Sequence, residues 1–373
     1  MKSKKELLMF LVVFFFLFSC LKKGKEPVEE IVPEVPAKSF HGFQKPAHFP
    51  DPVYDFASNP IEQQKFKLGR MLFYDPILSA DSCISCATCH QQSVAFTHMN
   101  HTLSHGINGL PGTRNSPSLA NLAWSKEFMW DGGIPNLEIQ PLAPIENHVE
   151  MGETLSNVLK KLNRHPLYKP RFKDAFGKDS INSQQMLKAL AQFMVMLVSS
   201  NSKYDQYVQG KATLNQDELD GLKIVQNKCA SCHSGVLFSD FDYHNIGLDS
   251  TIIFDTDLGR EQSTKLKSDR RKFKTPSLRN MTITKPFMHD GRVLDLKNCI
   301  EKHGEFDSPN IAPELKQFVE NGLKLSNLEY YQIFQFISTL TDNQFISDTT
   351  FSLKASDFYP YSITPVQRCS YVH

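Results

Sequence analysis

One pentapeptide occurs twice in this chain. Cys86-Ala87-Thr88-Cys89-His90 and Cys229-Ala230-Ser231-Cys232-His233 both read C-x-x-C-H. That pattern marks covalent haem attachment: two thiols become thioethers to the porphyrin, and the adjacent histidine binds the iron. A zinc ribbon needs its second C-x-x-C within about 15–20 residues, and these two lie far apart. A redox dithiol has no use for the following histidine. The sequence therefore implies two c-type haems, with His90 and His233 as proximal iron ligands and Cys86, Cys89, Cys229 and Cys232 as attachment points. A chain carrying two haems moves electrons.

More than the haem motif is repeated. Ser116-Pro117-Ser118-Leu119-Ala120-Asn121 corresponds to Thr275-Pro276-Ser277-Leu278-Arg279-Asn280. At the same offset from each asparagine comes Phe128-Met129-Trp130-Asp131-Gly132 or Phe287-Met288-His289-Asp290-Gly291. Apolar periodicity predicts helices over 61–74 and 217–226, each leading into a haem motif, and over 184–198 and 327–340. Strand-like alternation is scarce. The expected fold is mostly α: two tandem, duplicated cytochrome c-like haem domains with long loops. Trp130 stands where His289 stands in the other half. It is either an aromatic with a half-specific job between the haems or plain core packing.

Haem attachment by thioether takes place outside the bacterial cytoplasm, so an export signal is expected. The first five residues carry three lysines and Leu7 to Phe18 is unbroken apolar sequence, too short to span a bilayer. It ends in Leu17-Phe18-Ser19-Cys20, which resembles a lipobox and makes Cys20 a lipidation site. Residues 1–20 then read as a lipoprotein signal peptide. Residues 21–46, with Pro27, Pro33, Pro36 and Pro46, read as a flexible linker. Roughly 330 residues remain, enough for two domains at about 150 each: 47–205 and 206–345, with a tail over 346–373. The formal charge of +1 gives no nucleic-acid footprint. Cys83 reads as a bystander, and a Cys299–Cys369 disulfide has no support from spacing.

Together these residues resemble the bacterial di-haem cytochrome c peroxidases and the related MauG-type enzymes. The likeness rests on Leu78-Ser79-Ala80-Asp81, Phe96-Thr97, Gly112-Thr113-Arg114-Asn115, Leu137-Glu138-Ile139-Gln140, Pro144, Val149-Glu150-Met151 and Phe273-Lys274, added to the repeats above. It spans roughly residues 47–345. It implies that the His90 haem meets hydrogen peroxide and the His233 haem takes in electrons. It also implies Glu150 as the distal acid–base, Gln140 as its polar partner, and a calcium ion held by Asn115 with the carbonyls of Thr284 and Pro286. Carrying a proton between the peroxide oxygens needs a poised carboxylate, and a second polar group can stabilise developing charge.

The sixth ligands are left open by the same resemblance. His98, His101 and His105 lie in the stretch where relatives carry a distal histidine on the peroxidatic haem, and His105 in Ser104-His105-Gly106 matches best. On the other haem the family position falls on His303, with Met288 the alternative. The implied activity is a periplasmic, lipid-anchored peroxidase drawing on a small cytochrome c or cupredoxin, and relatives are often homodimers. The alternatives are a MauG-like oxidase acting on a partner protein and a simple electron carrier.

Overall fold

The computed structural model describes residues 40–248, 256–308, 310–319 and 323–359. The expected signal peptide, Cys20 and residues 21–39 of the linker lie outside that set. Two helix pairs organise the fold: α1 (Gln63–Tyr74) with α2 (Ser183–Val195), and α3 (Gln216–Lys228) with α4 (Asn327–Ser338). These are the four helices the periodicity predicts, with ends shifted by a few residues. α2, α3 and α4 each begin at a reciprocal cap: Asn182 with Gln185, Asn215 with Glu218, Ser326 with Glu329.

Both pairs cross at a glycine. A Cβ on Gly69 would stand 1.9 Å from the Ala189 carbonyl oxygen of α2. A Cβ on Gly221 would stand 2.0 Å from the Gln332 oxygen of α4. Only a residue without a side chain allows backbones this close. Around the first crossing pack Phe66, Phe73, Phe96 and Phe193, all buried, with the Phe73 and Phe193 rings 4.8 Å apart. Around the second pack Leu222, Val225, Phe238, Ile333, Phe336 and Ile337.

The duplication extends to single hydrogen bonds. Asn121 Nδ2 and Oδ1 bond the Ser199 backbone, and Asn280 Oδ1 accepts from the Asp342 nitrogen. Ser118 Oγ donates to the Ala95 carbonyl and Ser277 Oγ to the Leu237 carbonyl, each at 2.6 Å. The two halves also bond to each other reciprocally. The Asn115 nitrogen donates to the His289 carbonyl at 2.7 Å, and the Lys274 nitrogen donates to the Trp130 carbonyl at 2.8 Å. Asn115 and Lys274 hold equivalent places in the repeat, as do His289 and Trp130. The interface is thus isologous within one chain. Strand is confined among the described residues to the antiparallel pair β1 (Tyr243–His244) and β2 (Phe273–Lys274), and His41 onward forms one unit.

Two expectations change. Cys83 is disulfide-bonded, with a partner outside the described residues, while Cys299 is a buried free thiol. Cys83 is therefore no bystander, and Cys299 does not pair with Cys369. The expected tail from 346 stays folded to 359 and lies across the first half. Arg70, buried on α1, reaches Asp357 through Nε and Nη2 at 3.0 and 2.7 Å and the Thr350 carbonyl through Nη1 at 2.7 Å. Gln92, two residues past His90, donates to the carbonyls of Phe345 and Asp348.

At the other end, His48 reaches Asp205, the last residue of the first half, which Arg279 of the second half also holds. The His48 Nε2 lies 2.7 Å from Asp205, which Arg279 grips with two bonds of 2.9 and 2.7 Å. Burial alone would raise the Asp205 carboxyl, but Arg279, Ser202 and His48 hold it below the ordinary value. A depressed folded pKa stabilises the fold above the unfolded value of about 3.9, and that contribution is lost as pH falls below it. Asp205→Ala should cost about 3–5 kcal/mol in urea unfolding of the holoprotein, because the buried Arg279 charge is left alone. The exposed pair Lys173–Asp179 should be worth less than about 1 kcal/mol. Equal losses from the two would refute this account.

Candidate functional site: two unequal haem cradles

At each C-x-x-C-H motif the histidine is oriented from behind. His90 Nδ1 donates to the Phe96 carbonyl at 3.0 Å and His233 Nδ1 to the Phe238 carbonyl at 3.3 Å. This leaves Nε2 of each ring for a metal, the usual arrangement for a ligating histidine. Burial lowers both pKa values, that of His233 to about 4, so both rings are neutral as ligation requires. Cys86, Cys89, Cys229 and Cys232 are free thiols beside them.

The second cradle is closed by His303. It follows the short helix Leu296–Glu301, and its Nδ1 donates to the Cys299 carbonyl at 2.9 Å. The His303 ring centre lies 6.5 Å from that of His233. Two metal–imidazole bonds of about 2.0–2.1 Å put opposed ring centres roughly 6 Å apart, so the two rings fit one iron. Met288, the alternative, has φ +73° and packs against the second-half core beside Phe287.

The first cradle differs. The repeat places Pro144 where the second half has His303, at the same distance beyond the Asp-Gly pair. Proline offers no ligand, and among the described residues no ring faces His90 as His303 faces His233. Glu150 lies here instead. Its turn follows the helix Leu142–Glu146, with the Glu150 nitrogen bonded to the Asn147 carbonyl at 2.9 Å. Burial raises the Glu150 carboxyl above the ordinary range, and the Asn147 side chain opposes that shift. Burial pushes the Cys89 thiol up to about 11, with the Glu150 carboxylate adding to the rise. Cys89 Sγ lies 3.4 Å from the His105 carbonyl, so Cys89, His105 and Glu150 form one cluster.

Gln140 and Trp130 each make one side-chain hydrogen bond within the first half. Gln140 Nε2 donates to Met129 Sδ at 3.6 Å, and Trp130 Nε1 donates to the Asn115 carbonyl at 2.8 Å. Trp130 thereby sits at the seam between the halves. Asn115 commits its side-chain nitrogen to the carbonyls of Thr102 and His101 at 3.0 and 3.3 Å. Thr284 and Pro286 flank a cis peptide three to five residues before His289. Among the described contacts nothing joins them to Asn115.

The three loop histidines pack on one another. His98 and His101 are stacked with centres 4.0 Å apart, and His105 meets His101 edge-on at 4.5 Å. His98 is the buried one, its pKa lowered to about 3 by burial and then by its histidine neighbours. The sequence offers all three and prefers His105, and the three-residue spacing of His98 and His101 carries no sign that their rings stack. The Pro144–His303 correspondence, by contrast, is visible in the repeat.

Residues 63–213 match the family model described as "Di-haem cytochrome c peroxidase". The chain is 34% identical over 307 residues to the methylamine utilization protein MauG of Methylophilus methylotrophus, covering 80% of this chain and 87% of that one. It is 33% identical over 293 residues to the cytochrome c551 peroxidase of Nitrosomonas europaea, covering 77% and 83%. A crystal structure of a MauG-like protein associated with microbial copper homeostasis superposes with a TM-score of 0.74 at 30% identity, covering 83% of this chain and 98% of that one.

His303→Ala should turn the His233 haem from six-coordinate low-spin to high-spin in the EPR spectrum of the oxidised protein, leaving the His90 haem signal in place. An unchanged low-spin signal would exclude His303 as the ligand.

Proposed function

The chain belongs to the di-haem cytochrome c peroxidase and MauG family, and on that basis we propose that it reduces hydrogen peroxide to water at the His90 haem with electrons that enter at the His233 haem. The reaction is H2O2 + 2 H⁺ + 2 e⁻ → 2 H2O, with a cytochrome as electron donor. The observation that carries this reading is the inequality of the two cradles. His303 faces His233, whereas the matching place in the first half is Pro144 and a buried carboxyl, Glu150, lies beside Cys89.

Haem, when bound, would supply the redox-active iron for the two-electron reduction. The residues that would hold it are Cys86, Cys89 and His90, and Cys229, Cys232, His233 and His303, through covalent c-type attachment. Glu150 accepts the proton of the iron-side oxygen and returns it to the departing one. Gln140 orients the substrate and offers N–H bonds to developing charge. Trp130, bonded to Asn115 on its ring and to Lys274 on its backbone, would lie between the two centres. A calcium ion at Asn115, Thr284 and Pro286 would stiffen the same seam.

Export to the periplasm and a lipid at Cys20 belong to this proposal, as do a small cytochrome c or cupredoxin as donor and a homodimer. His105 as a resting ligand of the His90 iron belongs to it too. The second reading, oxidation of residues on a partner protein, is favoured by the MauG relatives. It would show as peroxide-dependent change in a co-purifying protein with no turnover of reduced cytochrome.

Stopped-flow oxidation of a reduced small cytochrome c by peroxide tests the first reading, and no turnover after pre-reduction would end it. Glu150→Gln should lower the peroxide rate by about 10²–10⁴-fold with both haem spectra intact. The base is active as carboxylate. The wild-type rate should therefore fall as pH drops through a value above the ordinary glutamate pKa of about 4.3, and the variant should lose that limb of the profile.

A further inference from the structure

His105 belongs to a short hairpin with its own backbone ladder. The Gly106 nitrogen donates to the Leu110 carbonyl at 2.9 Å, Gly112 to Ser104 at 2.7 Å, and Ser104 to Arg114 at 3.0 Å. A Cβ on Gly112 would stand 2.0 Å from Ser104 Oγ, so the two arms are in contact.

The outer edge of this hairpin is fastened to the Glu150 turn. The Ile107 nitrogen donates to the Glu150 carbonyl at 2.7 Å. A Cβ on Gly106 would lie 2.0 Å from the Val149 oxygen and 2.4 Å from Glu150 Cα. With φ −118° the Gly106 backbone is open to any residue, so it is space that demands glycine here. One residue on, Ile107 Cδ1 lies 2.3 Å from the place a Cβ on Gly152 would take. From the far side Asn147 holds the turn, accepting from Glu150 and Gly152 at 2.9 Å on its carbonyl and from Val149 at 3.2 Å on Oδ1.

We propose that Gly106 is a positioning residue for the Glu150 carboxylate, and that the 104–112 hairpin and the 147–152 turn act as one mechanical unit. The proposal rests on the reading of Glu150 as the acid–base. Through the Ile107–Glu150 bond a displacement of the hairpin is passed to the Glu150 turn.

The test is a double-mutant cycle on the holoenzyme with Gly106→Ala, Glu150→Gln and both together, read as peroxide turnover. Gly106→Ala should lower kcat by about 10²-fold or more, with an unchanged His233 haem spectrum. Added to Glu150→Gln it should cost nothing further, because the group it positions is already disabled. A merely structural role would give additive losses. Ile107→Ala, which introduces no clash, should show a smaller loss with the same non-additivity, and it carries the test if Gly106→Ala fails to take up both haems. Additive losses, or a Gly106→Ala enzyme at full rate, overturn the positioning role. A Glu150→Gln enzyme at full rate overturns the acid–base reading itself. Amide hydrogen exchange over 104–112 and over 147–152 should change together on one-electron reduction or not at all, and a change in one segment without the other overturns the mechanical unit.

Discussion

The reciprocal pair of hydrogen bonds across the seam governs the rest of the structure. Asn115 N to His289 O and Lys274 N to Trp130 O each join the backbone just before a Ser/Thr-Pro-Ser segment to the turn that ends in Asp-Gly of the other half. Each half carries both partners, so the seam closes on itself without an unpaired edge. Electron supply and peroxide cleavage must occur at a fixed separation, and backbone-to-backbone bonds hold a separation more rigidly than long side chains do. Side chains then reinforce the same line. Arg114 bridges Asp131 of its own half and Asp257 of the other, and Arg260 of the second half bonds Glu127 and the Asp131 carbonyl of the first.

A symmetric scaffold creates a chemical problem, since two equal haems would make a carrier rather than an enzyme. Three departures from symmetry lie in and just after the Asp-Gly turns. Pro144 replaces His303, Gln140 replaces Cys299 and Trp130 replaces His289. Proline and histidine differ in the one property that matters at a sixth coordination position, a nitrogen lone pair. The inequality of the two centres thus needs no difference in helix packing. The glycine crossings, the asparagine bonds and the serine bonds stay the same in both halves.

Much of this architecture is legible in the amino-acid sequence. The four helices follow from apolar periodicity and capping residues, and the haem motifs and Pro144–His303 contrast are matters of spacing. Long-range closure is not legible there. Nothing in residues 346–359 marks them as a strap on the first half, because the Arg70–Asp357 pair depends on a charge buried on α1, and a lone arginine in an amphipathic helix looks like a surface residue. The Cys83 disulfide is hidden by its closeness to Cys86. Its pairing is set by three-dimensional proximity rather than by spacing. The histidine stack is hidden for a similar reason, since irregular loops have no period from which ring contacts can be inferred.

The same limit explains Gly106. A glycine after His105 reads as loop chemistry, yet its backbone is unstrained and its role comes from a turn more than forty residues away. That distance matters for how such a site can open. A loop whose edges are free can fold and unfold around a ligand at little cost. This hairpin has a ladder along one edge and the Glu150 turn along the other, and Cys89 Sγ approaches the His105 carbonyl. A shift of its backbone is therefore passed on to the Glu150 turn rather than absorbed within the loop.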